Sequence, residues 1–107
     1  MNPPKKAETS DGSSSTAAPG FGALADPARL AILSELHRGT TCGCELAPKL
    51  GMAPNLLSYH LRILREVGLV ERSRRGRRIE YRVRPKGLEE LTVQLVRLAV
   101  GGDDDGG

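Results

Sequence analysis

Two cysteines, Cys42 and Cys44, are the only thiol-bearing residues of the chain and stand two positions apart in the stretch TTCGCEL. Thiolates bind soft and borderline metal ions, and two neighbouring thiols can also form a disulfide. A third possibility is that both are small apolar side chains without a chemical role. Residues i and i+2 of a regular helix point about 200° apart. Joint use of the two sulfurs therefore requires a distorted turn, which Gly43 and Pro48 could supply.

Arginine is concentrated in one part of the chain. Nine arginines and three glutamates lie between residues 62 and 84, which leaves a net charge of +6 on this stretch, whereas the whole chain carries +3. Clustered basic residues are the electrostatic footprint of nucleic-acid binding. The stretch therefore predicts a polyanion as partner; the alternative, a solvated charged face, would mix both signs more evenly.

Length and composition predict one domain with two disordered ends. Residues 1–20 hold three of the seven prolines and a Ser/Thr/Gly-rich run, and residues 101–107 contain only Gly and Asp. The domain over residues 21–100 is small enough that association with a second copy is a common source of stability. The sequence has no apolar run long enough to cross a bilayer and no signal-peptide pattern. This pattern predicts a cytoplasmic protein with reduced thiols and no membrane partner.

A helix is predicted to start at Asp26 and Pro27. Asp26 can cap the free amides of the first turn, and proline is well tolerated at the first helical position. The leucine-rich stripe that follows ends at Gly39, a residue suited to a left-handed helix stop. A short helical turn over residues 21–24 is expected to precede this helix.

The next two helices are predicted to form a helix-turn-helix. The first spans residues 42–50, with Thr41 as its cap and Gly51 as its stop, and the second spans residues 54–67. A tight turn over residues 51–53 separates them, which is the spacing of the motif.

The second helix of this motif has one apolar and one polar side. At about 100° per residue, Leu57, Leu61 and Leu64 fall together and face the core. The polar side consists of Asn55, Ser58, Tyr59, Arg62, Arg65 and Glu66. Short hydrogen-bonding groups followed by arginine are what a reader of the DNA major groove needs. His60 lies on the apolar side, where a structural contact is the favoured interpretation, although it is included among the candidate DNA-contacting residues.

An arginine-tipped β-hairpin is predicted after this helix. Apolar and charged residues alternate over residues 78–84, which predicts one strand; residues 69–74 supply its partner and Gly76 the turn. Such a hairpin beside a recognition helix is a wing that contacts phosphates or the adjacent minor groove. The tip residues expected to bind DNA are Arg74, Arg75, Arg77 and Arg78.

The last predicted helix, over residues 85–100, is apolar over much of its surface. Leucines at heptad spacing predict a dimer interface, and they are Leu88, Leu91, Leu95 and Leu98. Val93, Val96 and Val100 are interpreted as broadening this stripe. Burial within one chain is the alternative. A dimer would place two recognition helices about one DNA turn apart, which predicts an inverted-repeat operator.

Three stretches together resemble one family of regulators. ALADPARLAILSEL, CGCELA and LSYHLRILREVGLVERSRRGRRIEYRV are similar to the ArsR/SmtB family of winged-helix repressors over residues 21–100. The resemblance implies a mainly α fold with a small antiparallel hairpin, in the order of three helices, a recognition helix, two strands and a final helix. It implies a dimeric repressor that leaves DNA when a metal or metalloid binds. The chain departs from the family at the start of the recognition helix, where Ala53, Pro54 and Leu56 replace the usual polar residues.

The resemblance also implies that Cys42 and Cys44 hold the effector ion. Two sulfurs are fewer than the four ligands of a closed zinc site. The third cysteine that some relatives carry one turn later is Ala47 here, and the last predicted helix contains no histidine. His37 or residues of a second subunit would have to complete the site.

The sequence predicts a DNA-binding repressor and excludes an enzyme. With two histidines, no glycine-rich phosphate loop and no acid pair beside a base, no active site can be assembled. The alternatives are a metal-independent or thiol-redox-responsive regulator, one signalled by a partner protein, and a winged helix used as a protein-interaction module. The last would need an exposed apolar patch where this chain has arginines.

Overall fold

The computed structural model describes residues 13–106, with side chains described for residues 17–100. Within these residues, the fold consists of five helices and one two-stranded antiparallel hairpin. In chain order the elements are α1 (Ser13–Leu24), α2 (Pro27–His37), α3 (Gly43–Leu50), α4 (Pro54–Glu66), β1 (Val70–Arg75), β2 (Arg78–Val83) and α5 (Pro85–Gly106). This is the mainly α, winged helix-turn-helix order that the sequence predicts.

Local capping determines both ends of α2. The Asp26 carboxylate accepts a hydrogen bond of 2.8 Å from the backbone N–H of Ala28, and Pro27 occupies the first helical position. This hydrogen bond lowers the pKa of Asp26 below its ordinary value of 3.8, and the nearby Arg29 guanidinium acts in the same direction. Gly39 follows the helix with a φ of 110°. The predicted start and stop are confirmed.

The start of α3 differs from the prediction. Cys42, not Thr41, is the N-cap, and its sulfur accepts a hydrogen bond of 3.2 Å from the backbone N–H of Cys44. The carbonyl of Thr41 instead accepts a bond from the backbone N–H of Tyr81 in β2, so Thr41 is held beside the hairpin. The predicted stop at Gly51 is confirmed by its φ of 62°.

The core lies between the five helices and the base of the hairpin. Leu57, Leu61 and Leu64 of α4 are buried, as the helical wheel predicts. The largest fully buried side chains are Ile32, Leu46, Leu64, Leu69 and Val70. Because this core receives residues from every element around α4, the outward face of α4 has a fixed direction.

The first helix is longer than predicted. The expected disordered arm of residues 1–20 overlaps α1 from Ser13 onward, while residues 1–12 lie outside the described part of the chain. Ala17 and Gly20 are buried, and a Cβ built on Gly20 would lie 3.0 Å from a methyl carbon of Leu91. Contact with a residue so distant in sequence explains why local composition did not reveal the helix.

The last helix, α5, also exceeds its predicted end near Val100 and runs to Gly106, which covers all but the last residue of the expected tail. Gly107 lies outside the described residues. At the other end, a Cβ on Gly87 would collide with the carbonyl oxygen of Gly68, so only glycine allows α5 to approach the end of α4 this closely. Among the described helices, none has the length and apolarity to cross a membrane.

Candidate nucleic-acid interface

The polar side of α4 is exposed as the sequence predicts. Asn55, Ser58, Tyr59 and Arg62 are accessible to solvent, and Arg65 is half-buried. Leu56, in the first turn of the helix, is also exposed. Ala53 provides no side-chain cap, so the first turn of α4 depends on Pro54 for its preset backbone angle. The helix therefore presents hydrogen-bonding groups at its start and guanidinium groups in its second half.

A cleft of about 380 Å³ separates this face from the wing. Its lining consists of Asn55, Ser58, Tyr59, Leu61, Arg62, Arg65, Arg72 and Tyr81. Arg72 and Tyr81 are directly opposite each other in the hairpin register and were not among the predicted site residues. The strand alternation contained this signal, but only the pairing register shows that both residues face α4. Arginines of both the helix and the wing line this cleft, so the two elements form one cationic surface.

Arg62 makes two weak contacts on the exposed face of α4. Its guanidinium carbon lies 5.8 Å from the centre of the Tyr59 ring, and a guanidinium nitrogen lies 3.9 Å from the Glu66 carboxylate. Exposed ion pairs contribute little to stability because water and salt screen them. Arg62 can therefore exchange these contacts for a phosphate or a base edge at little cost.

The wing tip carries arginines without neutralising partners. Gly76 has a φ of 64° and forms the tight turn between the strands. Arg75 lies 3.6 Å from the Glu80 carboxylate. Within residues 17–100, the described ion pairs include none to Arg74, Arg77 or Arg78, and all three side chains are exposed. Their charge is available to an anion.

His60 does not belong to this surface, and its inclusion among the DNA-contacting residues is corrected. Only 5% of the residue is exposed. Its Nδ1 lies 3.1 Å from a terminal nitrogen of Arg29, and Arg29 Nε donates to the carbonyl of Ala23 at 2.8 Å. These contacts connect α1, α2 and α4. His60 therefore helps to orient the helix from inside, as the wheel analysis favoured.

The two cysteines are joined by a disulfide. The prediction of reduced thiols therefore does not hold in this structure. Because Cys42 lies outside α3 as its cap, the two Cα atoms are only 5.2 Å apart and the opposed orientation of a regular helix does not apply. Cys42 is buried, whereas Cys44 is exposed.

The donor atoms around this pair do not complete a metal site within one chain. Among the described residues, no group of three or more His, Cys, Asp or Glu side chains is placed to hold an ion. The disulfide sulfurs are not thiolates, and even the reduced pair would supply two of the four ligands of a closed zinc site. The metal site implied by the family resemblance thus does not fit the described residues of a single chain.

The apolar surface of α5 is divided into two sides. Leu91 is buried against α1, so its assignment to a dimer interface is corrected, and Leu88 is half-buried. Leu95 and Leu98 are exposed, Leu98 to 76%. Three further exposed residues, Val93, Val96 and Val100, lie about 140–180° around the helix from Leu91. The valines form a second apolar side and do not broaden the leucine stripe.

Comparison with known proteins identifies the family. Residues 26–72 match the family model described as "Bacterial regulatory protein, arsR family". The transcriptional regulator CmtR of Mycobacterium bovis is 36% identical over 83 residues, which cover 78% of this chain and 70% of that protein. Other curated relatives are covered over only about half to two thirds of their length.

Solved structures agree with this match. An ArsR-like transcriptional regulator from Rhodococcus sp. RHA1 superposes with a TM-score of 0.81 and 33% identity, covering 88% of this chain and 89% of that one. A homodimeric winged helix-turn-helix DNA-binding domain from Mycobacterium bovis gives a TM-score of 0.64 and 30% identity, covering 97% and 90%. These relatives are regulators, in agreement with the prediction that the chain is not an enzyme. The chain belongs to the arsR family of bacterial regulatory proteins.

Proposed function

We propose that the chain is a transcriptional repressor that binds an inverted-repeat DNA operator as a homodimer. The observation that carries this proposal is the single cationic surface on which the polar face of α4 and the arginine-tipped wing meet across a shared cleft. Its chemistry suits a helix in the major groove with a hairpin beside it. A cytoplasmic location is part of the proposal, because the operator is there.

The residues of this surface have separate roles on DNA. Asn55 and Ser58, at the start of α4, contact base edges, and Asn55 suits the edge of adenine. Tyr59, Arg62 and Arg65 contact phosphates or guanine. The wing arginines, Arg74, Arg75, Arg77 and Arg78, contact the backbone and supply affinity more than sequence choice.

The dimer interface is proposed to lie on α5. One side of the helix is covered within the chain, where Leu91 meets α1, while Leu95, Leu98 and the three valines remain exposed. A helix that is apolar on most of its surface is normally buried. A second copy that covers these residues, together with Leu88, brings the two α4 helices to one side of the duplex. The homodimeric state of the M. bovis domain supports this arrangement.

A metal or metalloid ion is the effector implied by the family resemblance. In this chain the ion could use Cys42 and Cys44 only in their reduced form, because a disulfide offers no thiolate. Its remaining ligands would have to come from outside the described residues of one chain, such as the second protomer. Titration of the reduced protein–DNA complex with soft and borderline ions tests this, and release that persists in Cys42→Ser would exclude the pair as ligands.

Selection of DNA from a random duplex library by the full chain tests the proposed function. The selected sequences should contain an inverted repeat, and the logarithm of the binding constant should fall linearly with the logarithm of salt concentration. Asn55→Ala should lower the preference for the selected site over a scrambled duplex by about 1–3 kcal/mol, the usual contribution of a bidentate base contact.

Ser34→Ala is the matched control, since Ser34 is an exposed polar residue on α2. This variant should retain the preference for the selected site. Recovery of no repeat, together with an affinity insensitive to salt, would reject the proposed function.

A further inference from the structure

A large apolar side chain is exposed in the first turn of the recognition helix α4. Leu56 follows Pro54 and Asn55 and is 45% exposed, whereas the other leucines of this helix are buried: Leu57, Leu61 and Leu64. Among the described residues, Leu56 belongs neither to the hydrophobic core nor to the partly buried side chains packed against it. The packing of the chain on itself therefore does not account for a leucine at this position.

Leu56 lies at the edge of the outward face of α4, on the side away from the wing. At about 100° per residue, its side chain is roughly 60° around the helix from Tyr59 and 160° from Ser58. Ser58, together with Arg62, lines the cleft that α4 shares with the wing. Asn55 and Tyr59 lie between Ser58 and Leu56 on the helix surface and are themselves exposed. The outward face thus changes from cationic beside the wing to apolar at Leu56.

The first turn of a recognition helix lies closest to the base edges when the helix enters the major groove. Of the four bases, only thymine presents a methyl group there, at C5, while the others present hydrogen-bond donors and acceptors. Leu56 can bury its methyl groups against that of thymine, which removes apolar surface of both from water. Its side chain has no polar atom to pair with the edges of the other bases, and covering such an edge without a hydrogen bond costs free energy. A leucine at this position therefore favours thymine and disfavours the other bases.

We propose that Leu56 selects thymine at one position in each half-site of the operator by packing against the C5-methyl group in the major groove. This inference rests on the proposed function and deepens it, because it names a base that the surface reads through apolar contact. Asn55, the preceding residue, is assigned to the edge of adenine in the proposed function. The first turn of α4 therefore reads A·T pairs through two neighbouring side chains, one polar and one apolar.

Removal of the thymine methyl group tests the contact from the DNA side. In the selected duplex, each thymine is replaced in turn, in both half-sites, by deoxyuridine, which pairs in the same way and lacks only the C5-methyl group. At one symmetric position, we expect the affinity of the full chain to fall by roughly fifteenfold, from about fourfold for each buried methyl group. Fluorescence anisotropy titrations at constant salt concentration measure these affinities.

Leu56→Ala tests the contact from the protein side. Alanine is also a strong helix former, and an exposed side chain contributes little to folding, so the variant should unfold at the same urea concentration as the wild type. It should bind the thymine duplex more weakly than the wild type does. Its affinities for thymine and deoxyuridine at the sensitive position should agree within about twofold, the usual error of additivity. This loss of coupling separates a direct contact from an effect of the methyl group on the shape of the duplex.

Leu30→Ala is the matched control. Leu30 is exposed to nearly the same extent, 48%, but lies on α2 and not on the recognition helix. This variant should retain the full deoxyuridine penalty. Loss of the penalty in Leu30→Ala as well would show that the effect is not specific to Leu56 and would overturn the inference.

Two further outcomes would overturn the inference and leave the proposed function in place. One is a selected inverted repeat whose half-site contains no thymine, or none that is sensitive to deoxyuridine. The other is a penalty that persists in Leu56→Ala, which would assign the methyl contact to a different residue, such as Tyr59. Recovery of no inverted repeat, together with an affinity insensitive to salt, would instead reject the proposed function and this inference with it.

Discussion

The tip and the base of the wing lie at opposite ends of the same two strands, yet they differ in burial, charge and backbone bonding. At the tip, Arg74, Arg77 and Arg78 are exposed, and no described ion pair neutralises them. At the base, Val70 is buried opposite Val83, and backbone bonds join the strands to neighbouring segments on both sides. The tip can therefore change its contacts without unfolding the protein, while the base determines where the tip points.

The largest expected effect distinguishes these two regions by stability. Leu69, just before β1, is 1% exposed and belongs to the core, so Leu69→Ala should lower the free energy of unfolding by about 2–5 kcal/mol. Arg77→Ala at the tip should change it by less than about 0.5 kcal/mol, as for most surface substitutions. Urea unfolding of both variants measures the difference. Similar losses in the two would mean that the tip is part of the packed structure.

The next effect concerns DNA binding. Replacement of Arg74, Arg77 and Arg78 by glutamine should reduce the slope of log binding constant against log salt concentration by roughly 0.9 for each phosphate that is no longer neutralised. Affinity should fall on specific and scrambled duplexes alike, because phosphate contacts carry no sequence information. Titrations at several salt concentrations, with unfolding measured in parallel, separate this effect from destabilisation.

Arg38→Gln provides the matched control for the tip arginines. Arg38 is an exposed arginine at the C-terminal end of α2, where its only described ion pair is a surface contact with Glu35. Removal of its charge should leave the salt slope unchanged. An equal reduction in slope would show that net charge, and not the wing, governs the attraction to DNA.

The sequence predicted the elements whose signals are local. Asp26 begins one helix and Gly51 ends another through bonds and angles within a few residues, and Gly76 forms the hairpin turn in the same way. The apolar stripe of α4 could be read because Leu57, Leu61 and Leu64 repeat at helical spacing. These features required no knowledge of distant residues.

The errors arose where distant residues decide the structure. Cys42 replaces Thr41 as the cap of α3 because Thr41 is paired with Tyr81 in β2, which no local pattern reveals. Leu91 belongs to the core because Gly20 leaves room for it, so a heptad pattern alone could not separate intrachain from intermolecular burial. The cleft formed with Arg72 required the hairpin register and was absent from the predicted site for the same reason.

A smaller loss of stability is expected from a substitution on the buried side of the recognition helix, where Arg29 contacts His60. Arg29→Met removes the side chain that contacts His60 Nδ1 and the carbonyl of Ala23. Leaving buried polar atoms unpaired costs about 1–3 kcal/mol, so the free energy of unfolding should fall by that amount. Arg38→Met, at the exposed end of the same helix, is the control and should be nearly neutral.

A double-variant cycle sharpens this prediction. If the Arg29 contact with His60 carries the effect, Arg29→Met should cost less in a His60→Leu background, where no imidazole is left unpaired. Additive losses in the two variants would place the role of Arg29 in its bond to Ala23 and its ion pair with Asp26.

The smallest expected effect is a pH dependence that belongs to the scaffold and not to the wing tip. The hydrogen bond from Ala28, assisted by the Arg29 charge, lowers the pKa of Asp26 in the folded protein. The folded state therefore binds this proton less readily than the unfolded state, and the stabilisation is fully present above the ordinary value of 3.8 and lost as the pH falls through the lower folded pKa. Asp26→Asn retains a good N-cap but cannot titrate.

Urea unfolding of the wild type and of Asp26→Asn at about pH 6 and near pH 3 measures this dependence. The wild type should show the larger loss of stability on acidification, because other carboxylates such as Glu35 are present in both proteins and cancel in the comparison. The same loss in both proteins would show that acid acts through other groups. A larger loss in the wild type would assign part of the acid sensitivity to Asp26, the cap of α2, which is the helix that contacts the buried side of α4 through Arg29.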